Sequence, residues 1–283
     1  MHRARKRFGQ HFLHDSAVVS RILEAIDPRT DDFMVEIGPG LGAITLPLLK
    51  RLAELHAIEI DRDAIRHLRE RTAWHPGFHL HEADALEFDL SQLRPPQGGG
   101  ADAGKSGEAA LRVVGNLPYN ISTPLLFRLI EQRQCIKDMH FMLQKEVVDR
   151  MAAPAGSEHY GRLSVMLAPW VAVEPLFDIG PGAFRPPPRV RSTFVRLKPP
   201  AAPLDIRHPR QFSTVVAAAF SQRRKTLRNA LRALLSSDEI LAAGIDPAVR
   251  AETLSAADFA ALAAQLARKS AAPPSADGHV PPK

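Results

Sequence analysis

An alternation between short apolar runs and helical patterns organises the first half of the chain. The first apolar run, residues 33–37, ends in a glycine-rich turn, and four further apolar runs follow it. Strands that alternate with helices indicate a mostly parallel sheet covered on both faces, so we predict an α/β, Rossmann-like fold. The predicted strands are residues 33–37, 55–60, 78–80, 111–114 and 139–143, and the predicted helices are residues 43–53, 61–72 and 123–132.

The sequence changes character after residues 199–203, which form a proline-rich linker. Beyond the linker the sequence is rich in Ala and Leu at helical spacing and carries no strand pattern. The chain ends in a Pro- and Ala-rich tail whose composition is typical of disorder. We therefore predict an α/β domain with a basic N-terminal arm over residues 1–200, a small all-helical domain over residues 204–269 and a disordered tail over residues 270–283.

Positive charge is concentrated in three stretches that contain no acidic residue. Residues 1–13, 185–198 and 207–232 hold 16 of the 37 Lys and Arg residues. The rest of the chain carries 21 cations against 31 acids, although the whole chain has a net charge of +6. One such run alone would be read as a solvated face, whereas three in one chain are typical of nucleic-acid binding. The charge distribution therefore favours a nucleic acid as partner.

The composition also disfavours several classes of protein. The single cysteine, Cys135, provides neither an intramolecular disulfide nor a Cys-based zinc site. His79 and His81 share one face of a predicted strand, but no HExxH pattern occurs, so we predict no metal site. The longest nearly apolar run, residues 163–173, is too short to cross a bilayer, and no signal-peptide core follows the basic N-terminus. We expect a cytoplasmic, monomeric protein without a membrane segment.

The ends of the first three predicted strands carry groups suited to a nucleoside. Ligands of doubly wound sheets bind beyond the carboxyl ends of the strands. Residues 36–42 read Glu-Ile-Gly-Pro-Gly-Leu-Gly, and the missing side chains at Gly38 and Gly40 let a ligand approach the backbone. Glu59 can accept hydrogen bonds from both ribose hydroxyls, and Asp84 can accept one from an adenine amino group. Because the last glycine of the pyrophosphate fingerprint G-x-G-x-x-G is missing, we predict a ligand without phosphates.

A second glycine-rich segment, residues 99–106, matches the phosphate-binding pattern G-x-x-x-x-G-K-S. A working loop of that kind needs a buried strand before it and a helix after it. The preceding residues contain two prolines, and only four residues separate the segment from the next predicted strand. We therefore interpret residues 95–110 as a flexible Gly/Pro-rich loop.

Residues 116–119, Asn-Leu-Pro-Tyr, follow the fourth predicted strand and lie at the same edge of the sheet. The nitrogen of an exocyclic amine is a poor nucleophile because its lone pair is delocalised into the ring. The Asn116 side-chain oxygen and a backbone carbonyl at Leu117 or Pro118 can accept both amine hydrogens, which aims the lone pair at a methyl donor. Tyr119 offers an aromatic face for an unstacked base. The motif favours N-methylation of a base.

In this order the motifs resemble the small-subunit ribosomal RNA adenine dimethyltransferases, the KsgA family. The resemblance covers about residues 8 to 265. It rests on Phe-Gly-Gln-His-Phe-Leu at 8–13, the glycine turn at 36–42, Glu-Ile-Asp at 59–61, Asp-Ala at 84–85, Gly-Asn-Leu-Pro-Tyr-Asn-Ile-Ser-Thr-Pro at 115–124, Phe-Arg-Pro-Pro-Pro-Arg-Val at 184–190 and Phe-Ser-Gln-Arg-Arg-Lys-Thr-Leu at 220–227.

The resemblance implies an S-adenosylmethionine-dependent methyltransferase that dimethylates the 6-amino group of two adjacent adenosines near the 3′ end of small-subunit (16S) ribosomal RNA. It also implies a role in small-subunit biogenesis, with the pre-assembled 30S subunit as partner. The residues implied to hold the target base are Asn116, Leu117, Pro118 and Tyr119, with Phe184 stacking on it. The predicted cofactor contacts are His11, where many relatives have Asn, and Leu13, Gly38, Gly40, Glu59, Asp84 and Asn116.

The helical domain carries the residues that we predict to bind RNA, namely Arg223, Arg224, Lys225 and Arg228. We expect them on one helix, with Arg224 and Arg228 four residues apart on the same face. Phe220 and Leu227, seven residues apart, would then face the core of the domain.

Three other functions remain open. A large-subunit ribosomal RNA adenine methyltransferase of the antibiotic-resistance type shares the fold and a similar Asn-x-Pro-Tyr site, but residues 186–188 and 221–227 favour the small-subunit enzymes. A DNA adenine methyltransferase is disfavoured because no separate target-recognition domain is visible. The intact Asn-Leu-Pro-Tyr motif argues against a mainly non-catalytic ribosome assembly factor.

Overall fold

The computed structural model describes residues 11–93, 111–222 and 224–271 of the 283-residue chain. Within these ranges the chain divides into two compact units. The first comprises the described residues up to Ala152 together with Trp170–Ala201, and the second comprises Ala153–Pro169 and the described residues from Ala202 onward. The basic residues at the start of the chain, the G-x-x-x-x-G-K-S segment, Arg223 and nearly all of the predicted tail lie outside the described residues.

The first unit is built on a seven-stranded sheet and a separate two-stranded pair. The paired short strands are β1 (Phe12–Leu13) and β8 (Phe184–Arg185), which run antiparallel. The large sheet contains β2 (Met34–Ile37), β3 (Leu55–Glu59), β4 (Phe78–Glu82), β5 (Leu111–Asn116), β6 (Ile136–Gln144), β7 (Ala172–Ile179) and β9 (Ser192–Lys198).

The order of the large sheet is β4-β3-β2-β5-β6-β9-β7. The five strands from β4 to β6 are parallel, and β9 and β7 extend the sheet antiparallel. The chain first builds outward from β2 through β3 and β4, and then returns to place β5 on the other side of β2. The strand order therefore reverses between β2 and β5, and ligands bind at such a switch point in α/β sheets.

The described residues of the same unit form five α-helices. They are α1 (Ser16–Ile26), α2 (Thr45–Leu49), α3 (Arg62–Thr72), α4 (Ser122–Glu131) and α5 (Lys145–Ala152). The Asp15 carboxylate begins α1 by accepting hydrogen bonds from the N–H groups of Ala17 and Val18. The Asp61 carboxylate caps α3 in the same way, as its sequence predicts.

All five predicted strands are present, but the helix predicted over residues 43–53 is shorter. The α2 helix ends at Leu49, and the chain then turns toward β3. The Ala53 N–H donates to Thr30 O at 2.9 Å instead of to a carbonyl of the preceding turn. The apolar pattern continues past Leu49 because Leu52 is buried in a loop, which helical spacing alone does not distinguish from a helix.

The core of the first unit lies on the sheet, where β2 and β3 are buried at every position, as expected for central parallel strands. Met34, Leu55 and Phe194 from the strands pack with Ile22 of α1 and Leu48 of α2. This core holds the carboxyl ends of β2, β3 and β5 in fixed positions.

The second unit is helical in its described part, apart from one isolated bridge between Thr226 and Arg250. Its helices are α6 (Arg162–Leu167), α7 (Pro209–Phe220), α8 (Leu227–Ala230), α9 (Ser237–Ala242) and α10 (Ala256–Ala271). Among the described residues, no helix combines the length and apolar character needed to span a bilayer.

The boundary between the units differs from the prediction, which assigned residues 153–169 to the α/β domain. The structure groups this segment with the helical unit because its apolar side chains are buried there. Val165 is fully buried in the core formed with Phe212 and Phe259. The Tyr160 hydroxyl donates to Leu254 O at 2.6 Å. The helical unit is therefore made from two separate parts of the chain.

Candidate functional site

A cleft opens at the switch point, between the segments that follow β2 and β5. It encloses about 910 Å³ of empty space, a figure that includes the open solvent at its mouth. Its lining residues come from four parts of the first unit, namely residues 11–13 of the N-terminal arm, Glu36 with residues 38–41 and 43–44, residues 59–60 and residues 116–121.

The glycine turn after β2 forms one wall of this cleft. Gly38, Gly40 and Gly42 have φ angles of +65°, +55° and +82°, a region that favours glycine. A Cβ atom at Gly40 would lie 3.2 Å from the Phe12 ring, whereas one at Gly38 would meet no atom within 4 Å. The turn therefore needs glycine for its backbone conformation, and at Gly40 also for space.

Glu59 ends β3 beneath the glycine turn. Its Oε1 accepts hydrogen bonds from the N–H groups of Ile60 and Asp61, both at 2.9 Å, and its Oε2 accepts one from the Gly40 N–H at 3.1 Å. Burial raises the pKa of this carboxyl group, and the three backbone hydrogen bonds oppose the rise. Oε2 accepts only one of these bonds, so it retains a lone pair for a ligand hydroxyl.

Ile60 was not predicted from the sequence, yet it also lines the cleft. Its side chain is 51% exposed, which is unusual for an isoleucine beside a concave site. A flat apolar ligand group would cover it. Its position directly after Glu59 is the sequence feature that could have indicated that Ile60 lines the cleft.

Glu36 is a second residue that sequence reasoning missed. It is 2% exposed and lines the cleft, and the described residues provide no hydrogen-bond partner for its Oε2. Burial, reinforced by the Glu59 carboxylate and opposed by the Thr45 hydroxyl, raises its pKa to about 8. An acid within the apolar run 33–37 was the signal that could have identified it.

Asp84 lies at the same edge of the sheet but does not line the cleft. Its Oδ1 accepts a hydrogen bond from the Leu86 N–H at 2.9 Å, and the neighbouring Ala83 N–H donates to Glu59 O at 3.1 Å. The structure therefore places Asp84 next to the end of β3. Its contact with an adenine amino group stays a prediction.

The Asn-Leu-Pro-Tyr segment forms the opposite wall. A Cβ atom at Gly115 would lie 2.5 Å from Ile37 O, so only glycine allows β5 to approach β2 this closely. The Asn116 Nδ2 donates to His11 O at 2.9 Å, which fixes the carboxamide. Leu117 is buried, and Pro118 lines the cleft.

Tyr119 is held in place through its hydroxyl group. The Tyr119 Oη lies 2.6 Å from Ser192 Oγ, and the Tyr119 ring centroid lies 5.6 Å from that of His11. Burial raises the pKa of the phenol, so it is protonated at neutral pH. Tyr119 can orient a ligand in the cleft, but it is not a base.

His11 and Leu13 bring the N-terminal arm into the site. The His11 Nδ1 lies 2.7 Å from Pro186 O, and since a carbonyl only accepts, this nitrogen carries the proton. Leu13 is buried and lines the cleft. One short segment thus links residue 186, Asn116 and the cleft.

Phe184 differs from its predicted role. It is 2% exposed and packs in the core of the first unit, and it is absent from the lining of the cleft. The antiparallel pairing of Phe184 with Leu13 turns the ring toward the core. In this structure Phe184 anchors the N-terminal arm and presents no face on which a base could stack.

Of the predicted RNA-binding residues, Arg224, Lys225 and Arg228 are described, and they do not share one helix, so that part of the prediction is wrong for them. The α7 helix ends at Phe220, and Thr226 is extended and pairs with Arg250. The N–H groups of Leu227 and Arg228 then donate to the carbonyls of residues 249 and 247 rather than continuing α7. Leu227 is buried and Phe220 packs against the core, as predicted.

Three predicted RNA-binding residues are described, namely Arg224, Lys225 and Arg228, and we call them the cationic segment. All three are exposed, and in the described part of the chain none forms an ion pair. Arg185, Arg189 and Arg191 of the first unit are also exposed. These guanidinium and ammonium groups remain accessible to phosphates.

Comparison with known proteins agrees with this geometry. The family model described as ribosomal RNA adenine dimethylase matches residues 1–268. The ribosomal RNA small subunit methyltransferase A of Nitrosococcus oceani is 55% identical over 263 residues, which are 92% of this chain and 95% of the relative. The protein of the same name from Methylococcus capsulatus is 53% identical over 265 residues, which are 94% of this chain and 98% of the relative.

Two solved structures resemble the fold. A dimethyladenosine transferase from Plasmodium falciparum has a TM-score of 0.75 at 23% identity and covers 92% of this chain and 98% of its own. The 23S rRNA methyltransferase ErmE has a TM-score of 0.65 at 24% identity, with 90% and 99% covered. At these identities the two structures support the fold alone. The family model and the curated relatives show that this chain belongs to the ribosomal RNA adenine dimethylase family.

Proposed function

We propose that the protein transfers methyl groups from S-adenosylmethionine to the 6-amino nitrogens of two adjacent adenosines near the 3′ end of small-subunit ribosomal RNA. The observation that carries this proposal is that one cleft brings the glycine turn and Glu59 together with residues 116–119. Family membership supports adenine dimethylation in ribosomal RNA. The names of the relatives that are more than half identical favour the small subunit.

The cleft residues fit the adenosine part of the donor. The Glu59 Oε2 can accept from a ribose hydroxyl, and Ile60 gives an apolar surface for the adenine ring. The open space at Gly38 lets the ligand approach the backbone. When bound, S-adenosylmethionine supplies an electrophilic methyl group on a sulfonium.

Glu36 fits the amino-acid part of the donor. A buried acid with a pKa of about 8 is largely protonated at neutral pH. An ammonium group beside it favours the charged form and lowers its pKa, so the buried pair forms only when a cation is present. We infer that Glu36 selects a donor with a free amino group.

The target amine is positioned by residues 116–119. Because the Asn116 Nδ2 donates to His11 O, the Asn116 Oδ1 is left to accept one amine hydrogen. The Pro118 carbonyl already accepts from the Ile121 N–H at 3.1 Å, which favours the Leu117 carbonyl as the second acceptor. With both hydrogens held, the nitrogen lone pair points at the methyl group, and the chain lowers the barrier by positioning and by preorganised dipoles.

The exposed cations bind the RNA backbone in this proposal. Phosphate contacts hold a nucleic acid in register without reading its sequence. The cationic segment lies in the helical unit, and Arg185, Arg189 and Arg191 lie in the catalytic unit. We propose that the pre-assembled 30S subunit is the partner and that the protein acts in the cytoplasm as a monomer.

The direct test is methylation of isolated ribosomal subunits. Unmethylated small subunits and, separately, large subunits are incubated with labelled S-adenosylmethionine, and the RNA is digested to nucleosides. We expect labelled N6,N6-dimethyladenosine from the small subunit only. Label in the large subunit would favour the antibiotic-resistance type of enzyme, and absence of label from both would favour an assembly factor.

A further inference from the structure

A cluster of imidazoles lies on β3 and β4, apart from the cleft. His56 of β3 is the direct register partner of His79 on β4, and His81 follows two residues later on the same face. Glu54 immediately precedes β3. We call Glu54, His56, His79 and His81 the histidine cluster.

The side chains of the histidine cluster lie within coordination range of one another. The ring centroid of His56 lies 4.8 Å from that of His79 and 5.3 Å from that of His81. The His79 Nε2 lies 3.9 Å from Glu54 Oε2, and one donor atom each from Glu54, His56 and His79 fall within 4.8 Å of one another. Two ligand atoms bound to the same tetrahedral zinc are about 3.3 Å apart, so small side-chain rotations would bring these three together.

His81 is the member of the cluster that contacts the ring of His56 and orients it. The His56 Nδ1 lies 3.0 Å from His81 Nε2, a hydrogen bond that fixes the orientation of the His56 ring. Metal-binding histidines commonly have their other ring nitrogen held in this way. The arrangement therefore contains three candidate ligands and one orienting group.

The histidine cluster is reachable from solvent and separate from the methylation site. The His79 side chain is 43% exposed and that of Glu54 is 28% exposed, and β4 is the edge strand of the sheet. His56 lies three residues before Glu59 on β3, which is about 10 Å along a strand. No member of the cluster lines the cleft.

We propose that Glu54, His56 and His79 bind one divalent cation of the zinc class. Two imidazoles and one carboxylate match the ligands preferred by Zn²⁺, Ni²⁺ and Cu²⁺, whereas Mg²⁺ and Ca²⁺ prefer oxygen ligands alone. The sequence predicted no metal site because His79 and His81 on one strand give too few ligands. His56 lies on the neighbouring strand β3 and Glu54 immediately precedes that strand, so only the strand register brings these two ligands to His79.

The test is metal titration of the full chain after treatment with a chelator. Zn²⁺ binding is followed by calorimetry, and Co²⁺ binding is followed by its visible absorption. We expect one equivalent of either ion to bind through the cluster. His79→Gln and Glu54→Gln should each weaken binding at least about tenfold. Both side chains are partly exposed, so the variants should fold, which circular dichroism checks.

His159→Gln is the matched control, since His159 is exposed and lies outside the cluster. It should bind metal as the unchanged protein does, and S-adenosylmethionine affinity should be the same in all four proteins. Equal affinities of the His79→Gln variant and the unchanged protein would overturn the proposal, as would the absence of saturable binding. Neither result bears on the methyltransferase proposal, because the two sites share no residue.

Discussion

The cleft and the cationic segment are built in opposite ways. In the cleft, Glu59 and Asn116 are each fixed by hydrogen bonds to the backbone, and Glu36 is buried. In the cationic segment, Arg224, Lys225 and Arg228 are exposed in a turn and at the start of a short helix. The cleft is therefore suited to short-range positioning, and the cationic segment to salt-sensitive attraction.

The difference predicts that changes in the cleft alter catalysis or donor affinity, whereas changes in the cationic segment alter only RNA affinity. Three single substitutions in the cleft and one triple replacement in the cationic segment probe the two regions, and they are taken from the largest expected effect to the smallest.

Asn116→Ala should lower turnover at saturating donor by about 10²–10³-fold, because it removes a preorganised acceptor needed mainly in the transition state. RNA affinity should stay nearly constant. Single-turnover methylation and filter binding of small subunits measure the two quantities. Asn116→Asp keeps an oxygen acceptor but loses the donor to His11 O, so it should be less impaired. Normal turnover of the Ala variant would exclude the proposed chemistry.

Glu59→Ala should weaken S-adenosylmethionine binding by roughly 1.5–3 kcal/mol, about 10- to 150-fold, because a charged acceptor is lost. Three backbone N–H groups also lose their partner, so thermal stability should be measured in parallel. Glu87→Ala, an exposed acid near the same edge, is the control. Unchanged donor affinity in calorimetry would remove Glu59 from the binding site.

Glu36→Gln should change the pH dependence of stability. The raised pKa means that the folded state binds more protons than the unfolded state between the ordinary value of 4.5 and about 8. The free energy of unfolding therefore falls as the pH rises through this window, and Gln should remove that fall. Urea unfolding at about pH 5 and about pH 8, on both proteins, measures this difference in the free energy of unfolding.

Glu146→Gln is the control for this substitution, because that side chain is 80% exposed. It should leave the pH dependence as it is. If Glu36→Gln also leaves the dependence unchanged, the buried acid is not protonated in the folded protein and its proposed role with the donor amino group fails.

Replacing Arg224, Lys225 and Arg228 by Ala should have the mildest effect at low salt. The slope of log affinity against log salt should shrink by about 0.7–0.9 for each lost phosphate contact. Donor affinity should not change. Arg268→Ala, an exposed cation of the helical unit outside the three acid-free stretches, serves as the control. An identical slope in the triple variant would show that the cationic segment does not touch RNA.

The features of the fold that local sequence patterns determine could be predicted from the sequence. The parallel strands and the Asp61 cap follow from patterns within a few residues, so they were predicted correctly. β7 was missed because Pro175 and a register shift interrupt its pattern, and because its pairing with β9 is non-local. The edge of the sheet at which the cleft opens could be predicted, because the carboxyl ends of the parallel strands meet at that edge.

Features that depend on distant pairing were not predictable. The break after Phe220 depends on the bridge between Thr226 and Arg250, and the burial of Phe184 depends on its pairing with Leu13. The partners of His79 likewise become visible only through the register of β3 and β4. In each case the local sequence fits two arrangements, and a contact far along the chain selects one.

The separation of chemistry from RNA attraction is tested most directly by one assay on unmethylated small subunits. Formation of N6,N6-dimethyladenosine is measured at saturating subunit and donor for the unchanged protein, Asn116→Ala and the triple variant of the cationic segment. We predict that the triple variant methylates at the unchanged rate and that Asn116→Ala binds the subunit but forms almost no product. Loss of product in the triple variant at saturation, or normal product with Asn116→Ala, would contradict this account.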